Sequence, residues 1–297
     1  MSSMRVAVID VGSNTARLLV ANIGADGAIV PVDEEREYLR LGAEIERTGT
    51  LSSKKIAAAA ATCRGFAQTA AELGAERTAL IVTAPGRQAA SGPALTASLA
   101  GATGLGVRVL SAGDEGRLAY EGAVARVVGE RPAVVAVVDV GGGSTEIAVG
   151  TPHLGAAWIQ SADLGALRLT RAHLNGDPPT RAEIAAARDA VAAALADMRP
   201  PAPDLALAVG GSARALAKMV DGDLTREALA DAIDQLTGRS AAKVARRHGI
   251  GERRAATLLA GAVILEGVQG HVSLPLQVAH AGLREGLAFE VLARAAA

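Results

Sequence analysis

Short apolar runs broken by glycine and small polar residues set the rhythm of this chain. Residues 5–10 form an apolar run that predicts a strand, and after a tight Gly-Ser-Asn turn residues 15–23 predict a second. Asp26-Gly27 marks another turn, with a third strand expected over 28–32. Residues 52–73 open with a Ser cap and run on as an Ala-rich helix; 79–83 read as strand, 93–101 as helix, 107–111 as strand, and 115–129 carry helical spacing. The pattern then restarts. Residues 133–139 are a continuous apolar strand leading into a glycine turn, and 146–149 are extended again. A long Ala-rich helix over 180–198 ends at Pro200-Pro201-Ala202-Pro203, because proline lacks an amide donor and clashes with the preceding turn. Residues 205–209 predict a strand, 213–220 begin a helix, and the remainder is mainly helical. Strands alternating with helices predict an α/β fold. The order apolar strand, Asp-Val-Gly, small polar residues, strand occurs at Asp10 and again at Asp139, which predicts a duplicated lobe.

Composition narrows the partners. A chain of 297 residues, 50% of them hydrophobic, can bury a large core, and two domains are the starting expectation. The formal net charge is −1 and no Lys/Arg block stands out, so the broad basic stripe of a nucleic-acid binder is missing and any anion must be recognised locally. Cys63 falls in the 52–73 helix and reads as a small buried side chain. The start lacks a charged leader followed by an apolar stretch, and no uncharged apolar run reaches about 18 residues. A soluble cytoplasmic protein with no membrane partner is the expectation. The five histidines are scattered, with no pair at metal-ligand spacing.

The candidate chemistry lies in the loops. A phosphate needs many donors in a small space, and glycines let successive backbone N–H groups converge on one oxyanion. Gly141-Gly142-Gly143, followed by Ser144 and Thr145, meets that need. The loop returns into a strand and carries no lysine, so the common nucleotide-binding signature is absent. Three glycines also make an ordinary hairpin turn. Asp139 before the loop and Glu146 after it tip the reading, since two carboxylates flanking a phosphate suit a hard Mg2+ ion that bridges protein and substrate oxygens. Asp139 as a turn former and Glu146 as an exposed strand residue are the alternatives. In the first lobe, Asp10, Gly12, Ser13, Asn14 and Thr15 form the counterpart, with side chains able to bond phosphate oxygens. A third glycine loop, Gly210-Gly211-Ser212-Ala213-Arg214, stands at a strand-to-helix junction where free amides favour an anion.

Taken in order, Val8-Ile9-Asp10-Val11-Gly12-Ser13-Asn14-Thr15, Asp139-Val140-Gly141-Gly142-Gly143-Ser144-Thr145-Glu146, Leu164-Gly165-Ala166-Leu167-Arg168-Leu169-Thr170 with Asp177-Pro178-Pro179, Gly210-Gly211-Ser212-Ala213-Arg214 and Gly282-Leu283-Arg284-Glu285-Gly286 resemble the exopolyphosphatase and guanosine pentaphosphate phosphohydrolase family, within the actin and sugar-kinase fold superfamily. The resemblance spans nearly the whole chain. It implies two ribonuclease H-like lobes, residues 1–117 with 284–297 and residues 118–283, with the site between them. In that family a carboxylate of a Ser-Gly-x-Glu-Glu-Ala segment activates water; Ser111-Ala112-Gly113-Asp114-Glu115-Gly116-Arg117-Leu118 puts Glu115 in that place, with Asp114, Ala112 and Gly116 departing from the pattern. A helix-start glutamate interacting with the dipole is the alternative. A Thr-x-x-x-Arg segment supplies an arginine to the phosphates, and Thr83-Ala84-Pro85-Gly86-Arg87 keeps its spacing, with Pro85-Gly86 interrupting it and Ser91 replacing an Asn. Arg284 and Glu285 read equally as a structural ion pair.

The expectation is then Glu115 and Glu146 as catalytic carboxylates and Asp10, Asp139 and Glu146 as ligands of Mg2+, with Mn2+ as the alternative ion. Gly12, Ser13, Asn14, Thr15, Arg87, Gly141, Gly142, Gly143, Ser144, Thr145, Gly211 and Ser212 are the expected phosphate-binding residues. The implied reaction is hydrolysis of the terminal phosphoanhydride of inorganic polyphosphate, with guanosine pentaphosphate as a second substrate and a symmetric homodimer as the assembly. Longer family members carry a further helical domain, so short polyphosphate is the preferred substrate here. The rivals are an ATP-using kinase of the same superfamily and a catalytically weak sensor of polyphosphate or guanosine alarmones.

Overall fold

The computed structural model describes residues 3–24, 28–125, 127 and 133–296. The chain divides into two compact units, Met1–Leu118 with Leu283–Ala297, and Ala119–Gly282.

The first unit is built on a five-stranded sheet. Its strands are β1 (Met4–Val11), β2 (Ala16–Ile23), β3 (Ile29–Glu37), β4 (Arg77–Val82) and β5 (Val107–Val109), in the order β3-β2-β1-β4-β5. β1, β2 and β3 form an antiparallel meander, whereas β4 and β5 continue from β1 in parallel. Side-chain alternation along β1 separates two cores. Ala7, Ile9 and Val11 face Cys63, Phe66 and Ala70 of the helix Ser53–Glu72 and Leu95 and Leu99 of the helix Gly92–Thr103. Val6 and Val8 face Leu287 and Ala288 of the last helix, Leu283–Ala296. Because both faces are covered, β1 has to be apolar at nearly every position, with each fully buried Val, Leu or Ile contributing about 1.5–3 kcal/mol.

The second unit repeats the plan. Its strands are β6 (Val135–Val140), β7 (Thr145–Thr151), β8 (Gly155–Ala162), β9 (Leu205–Val209) and β10 (Leu276–Val278), in the order β10-β9-β6-β7-β8. Reading β6 for β1, β7 for β2 and so on, the two sheets have the same strand order and the same pairing senses. The correspondence reaches single residues. Each second strand carries a register shift at the same place, Val20/Ala21 and Val149/Gly150, and each hairpin closes through one 2.9 Å bond, Gly12 N–H to Thr15 O and Gly141 N–H to Ser144 O. The expected duplication is therefore present in register as well as in order. The helix Leu258–Val272 runs through the core of this unit and is buried almost all round.

Several expected elements extend or shift. The third strand continues over the charged run Asp33–Glu37, because an edge strand needs a partner on one side only and leaves its side chains in water. β8, β10 and the helix Leu41–Thr48 lack the alternation or length that would mark them in the sequence. The Asp26-Gly27 turn lies outside the described residues, as does the end of the helix expected over 115–129, which is described as Ala112–Val124.

Candidate active site

In the second unit the catalytic candidates form a row across the sheet. Asp139 on β6 pairs directly with Glu146 on β7 and with Val209 on β9, and Glu146 pairs in turn with Ser161 on β8. Residues directly opposite in an antiparallel pair share a face with Cβ atoms about 4.5–5.5 Å apart, so the two carboxylates are neighbours on the face turned away from Val138 and Ile147. Glu146 is 3% exposed, so it is not the exposed strand residue that the sequence allowed, and its Oε1 accepts a 2.8 Å bond from Ser161 Oγ. Asp139 Oδ1 lies 2.7 Å from the point a Cβ on Gly210 would occupy. Gly210, at φ +88°, thus needs glycine both for its backbone conformation and for the room it leaves the carboxylate.

The Gly141–Ser144 loop is held from behind by the segment after Leu164. Gly141 O accepts from Ala166 N–H (2.9 Å), and Gly142 O accepts from Leu167 N–H (3.0 Å) and Arg168 N–H (3.1 Å) at the start of the helix Ala166–His173. A loop that commits its carbonyls internally offers amide N–H groups, the donors an oxyanion requires. Gly165 makes this possible, since a Cβ there would fall 2.4 Å from the Gly142 and Gly143 backbone. Thr145, expected among the phosphate ligands, is fully buried and donates its hydroxyl to the Leu164 carbonyl (2.5 Å), tying the hairpin to that same segment. Ser212 is likewise buried, with its Oγ 2.6 Å from the Cβ position of Gly261 and without a hydrogen-bond partner. Gly211 carries a residue that sequence reasoning missed: the Arg254 guanidinium lies over it, 2.4 Å from a Cβ position.

The first-unit hairpin has the same backbone but different chemistry. Asp10 pairs across the strands with Arg17, where the second unit sets Glu146 opposite Asp139. Asp10 Oδ1 is buried without a hydrogen-bond partner. Burial pushes the carboxyl up from its ordinary value, the guanidiniums of Arg284 and Arg17 pull it down, and Glu285 adds to the rise. Arg284 is 5% exposed, reaches Leu18 O at 3.4 Å and Glu34 at 3.5 Å, and so anchors the last helix to the sheet. The Gly12–Thr15 loop also has a clasp: Ser13 O accepts from Gly42 N–H (2.8 Å) and Asn14 O from Arg40 N–H (2.9 Å), with Arg40 in the left-handed region at φ 52°.

Glu115 and Arg87 meet in this unit. Arg87 Nη1 donates to the Glu115 carboxylate and to the Leu110 carbonyl, and Glu115 is 7% exposed. Asp114, its neighbour, is used differently. It accepts from Ser111 N–H and Oγ while its own N–H returns to Ser111 Oγ at 3.0 Å, the reciprocal pattern of a helix cap. Those bonds, with Arg108 and Arg117 against the opposing effect of burial, hold the Asp114 carboxyl below the usual range. Asp114 therefore starts the helix, and Glu115 turns inward to the arginine. The Pro85-Gly86 interruption is accommodated in the short helix Ala84–Gln88: proline stands in its first turn, and a Cβ on Gly86 would meet Val109 at 2.9 Å. Ser91 Oγ accepts from Leu51 N–H (2.8 Å), a structural role. Cys63 is buried and its thiol is pushed up to about 12, chiefly by burial, which leaves it inert.

Among the described residues no three His, Cys, Asp or Glu side chains gather to hold a metal ion. The Asp139 and Glu146 pair does fit a Mg2+ ion, which is commonly bound by one or two carboxylates and completes its shell with water and phosphate. Also among the described residues, no helix is long and apolar enough to cross a membrane.

Residues 19–295 match the model of the Ppx/GppA phosphatase family. The chain belongs to that family. It is 30% identical over 301 residues to Exopolyphosphatase 1 of Mycobacterium tuberculosis, covering 96% of this chain and 87% of that protein. It is 36% identical over 196 residues to Exopolyphosphatase 2 of the same organism, covering 63% of this chain and 60% of that protein. The crystal structure of the Aquifex aeolicus member of the Ppx/GppA family superimposes with a TM-score of 0.83 at 28% identity, covering 99% of each chain. This likeness, with the two equivalent sheets, establishes the two-lobe actin-like α/β fold of the Ppx/GppA chain.

Proposed function

We propose that this Ppx/GppA chain is an exopolyphosphatase that hydrolyses the terminal phosphoanhydride of inorganic polyphosphate and releases orthophosphate. The observation that carries the reading is the pair of carboxylates, Asp139 and Glu146, set side by side at the mouth of a glycine loop. Two like charges in a poorly hydrated place repel unless a cation joins them, and a polyphosphate brings its own divalent ions. Mg2+ bound there, with Mn2+ as a substitute, would neutralise charge developing on the phosphate oxygens. Asp10 is the weaker ligand candidate, because Arg17 and Arg284 already supply positive charge beside it.

In this reading the loop holds phosphate oxygens through the amides of Gly142, Gly143 and Ser144, since the Gly141 N–H is used to close the hairpin on Ser144 O. Glu115 accepts the proton of a water whose oxygen bonds to the terminal phosphorus as the bridging P–O bond breaks. Arg87 holds Glu115 in place, and its guanidinium, with further N–H groups beyond Nη1, takes a phosphate oxygen. The exopolyphosphatase names of the Mycobacterium tuberculosis relatives favour polyphosphate. The family description also covers GppA proteins, and guanosine pentaphosphate is the second substrate of the proposal.

Phosphate release by the purified chain with Mg2+ or Mn2+, measured against polyphosphates of defined length, guanosine pentaphosphate and ATP, tests the reading. Polyphosphate should be the best substrate and should require the metal. Transfer of phosphate from ATP to a sugar or acid acceptor, with none released from polyphosphate, would make the chain a kinase instead.

A further inference from the structure

The chain is nearly neutral as a whole, yet one surface of the second unit is not. The helix Ala241–His248 turns Val244 into the core and packs Ala241 and Ala245 against it. Its opposite side exposes Lys243, Arg246 and Arg247, which stand at i, i+3 and i+4 and therefore form one stripe. None of the ion pairs among the described residues involves these three side chains, although elsewhere arginines such as Arg108, Arg117 and Arg188 find carboxylates. Like charges at this spacing repel one another. The helix dipole accounts for Arg246 and Arg247 in the last turn but not for Lys243 in the first, where the dipole opposes a cation.

The stripe is joined to the third glycine loop. The Ala241–His248 helix packs against the short helix Glu252–Ala255, and that helix packs against Gly210–Leu216. Arg254, within the short helix, lies over Gly211. Packing thus links the helix that bears the stripe, through the short helix that bears Arg254, to the helix that begins at the Gly210–Ser212 loop.

We propose that Lys243, Arg246 and Arg247 form a subsite for the chain of a polyphosphate beyond its reacting end. The proposal rests on the polyphosphatase reading for the identity of the anion. A flexible linear polyanion with a charge on every unit suits a row of mobile cations, and it gains affinity by releasing its counterions to solvent. Phe, Tyr and Trp, the large rings on which nucleic-acid bases stack, are missing from residues 239–254, which favours an inorganic chain over RNA.

The test is the combined variant Lys243→Ala, Arg246→Ala, Arg247→Ala in the full chain, beside a charge-matched control that replaces exposed Lys54, Arg64 and Arg181 with Ala. KM for long-chain polyphosphate should rise about tenfold or more in the stripe variant and depend less steeply on salt. KM for tripolyphosphate should stay within about twofold, kcat should hold for both substrates, and the control should behave as the parent protein. An equal change for both chain lengths, no change, or the same change in the control would overturn the subsite. Calorimetric binding of long-chain polyphosphate needs no turnover and separates this proposal from the one it rests on. Binding that weakens in the stripe variant without any phosphate release by the parent would sink the hydrolase reading and keep the subsite. Binding that does not weaken, or single-stranded RNA that binds through the same three residues with equal affinity, would sink the subsite.

Discussion

At the scale of single residues, the two hairpins show how one substitution changes chemistry on an unchanged backbone. Asp10 faces Arg17, whereas Asp139 faces Glu146, so the first hairpin pairs a carboxylate with a guanidinium and the second sets two carboxylates side by side. Asp139 and Glu146 were legible in the sequence because they bracket a glycine loop. Arg17 and Ser161 were not, because their importance follows only from strand register. Ser161→Ala should remove the bond that orients Glu146 and lower kcat about tenfold with little effect on KM, read from steady-state kinetics on polyphosphate. Arg87→Ala should raise KM and also lower kcat, since it removes a phosphate donor and leaves Glu115 without its guanidinium. An unchanged KM would remove Arg87 from substrate binding.

At the scale of elements, the supports behind the loops were the part that sequence reasoning could not place. The Leu164–Arg168 segment stood out as a motif, but its role is to receive the carbonyls of Gly141 and Gly142. Gly165→Ala should force these backbones apart and destabilise the protein by about 1–3 kcal/mol, seen as a lower denaturation midpoint together with weakened phosphate binding. The helix Arg181–Leu195 has a second such support. Glu183 accepts from Thr180 N–H and Oγ and from Asn175 and Gly176 N–H, and these bonds, those from Thr180 foremost, hold its carboxyl down at about 2. A depressed carboxyl stabilises the fold fully above its ordinary value of 4.5 and loses that contribution as pH falls toward about 2. Glu183→Gln should therefore lower Tm at neutral pH, with the gap to the parent closing between about pH 4.5 and 2. A gap of constant size across that range would contradict the assignment. The helix itself was legible as an Ala-rich run ended by prolines, whereas its cap shows only in the bonds that Glu183 makes.

At the scale of the whole molecule, the repeated strand order was legible from two Asp-Val-Gly turns, each set between apolar strands. The edge strands β3, β8 and β10 were less so, because strands with one neighbour and exposed side chains carry little hydrophobic pattern. Net charge misled in one respect: a total of −1 conceals the basic stripe at Lys243, Arg246 and Arg247. The central claim is that water, activated by Glu115, attacks a terminal phosphorus. Turnover of polyphosphate in oxygen-18-enriched water, with Mg2+ and mass analysis of the product, tests it most directly. Orthophosphate carrying one solvent oxygen is expected, formed about a hundred to ten thousand times more slowly by Glu115→Gln although that variant still binds substrate. Product without solvent oxygen, or an undiminished rate in Glu115→Gln, would contradict it.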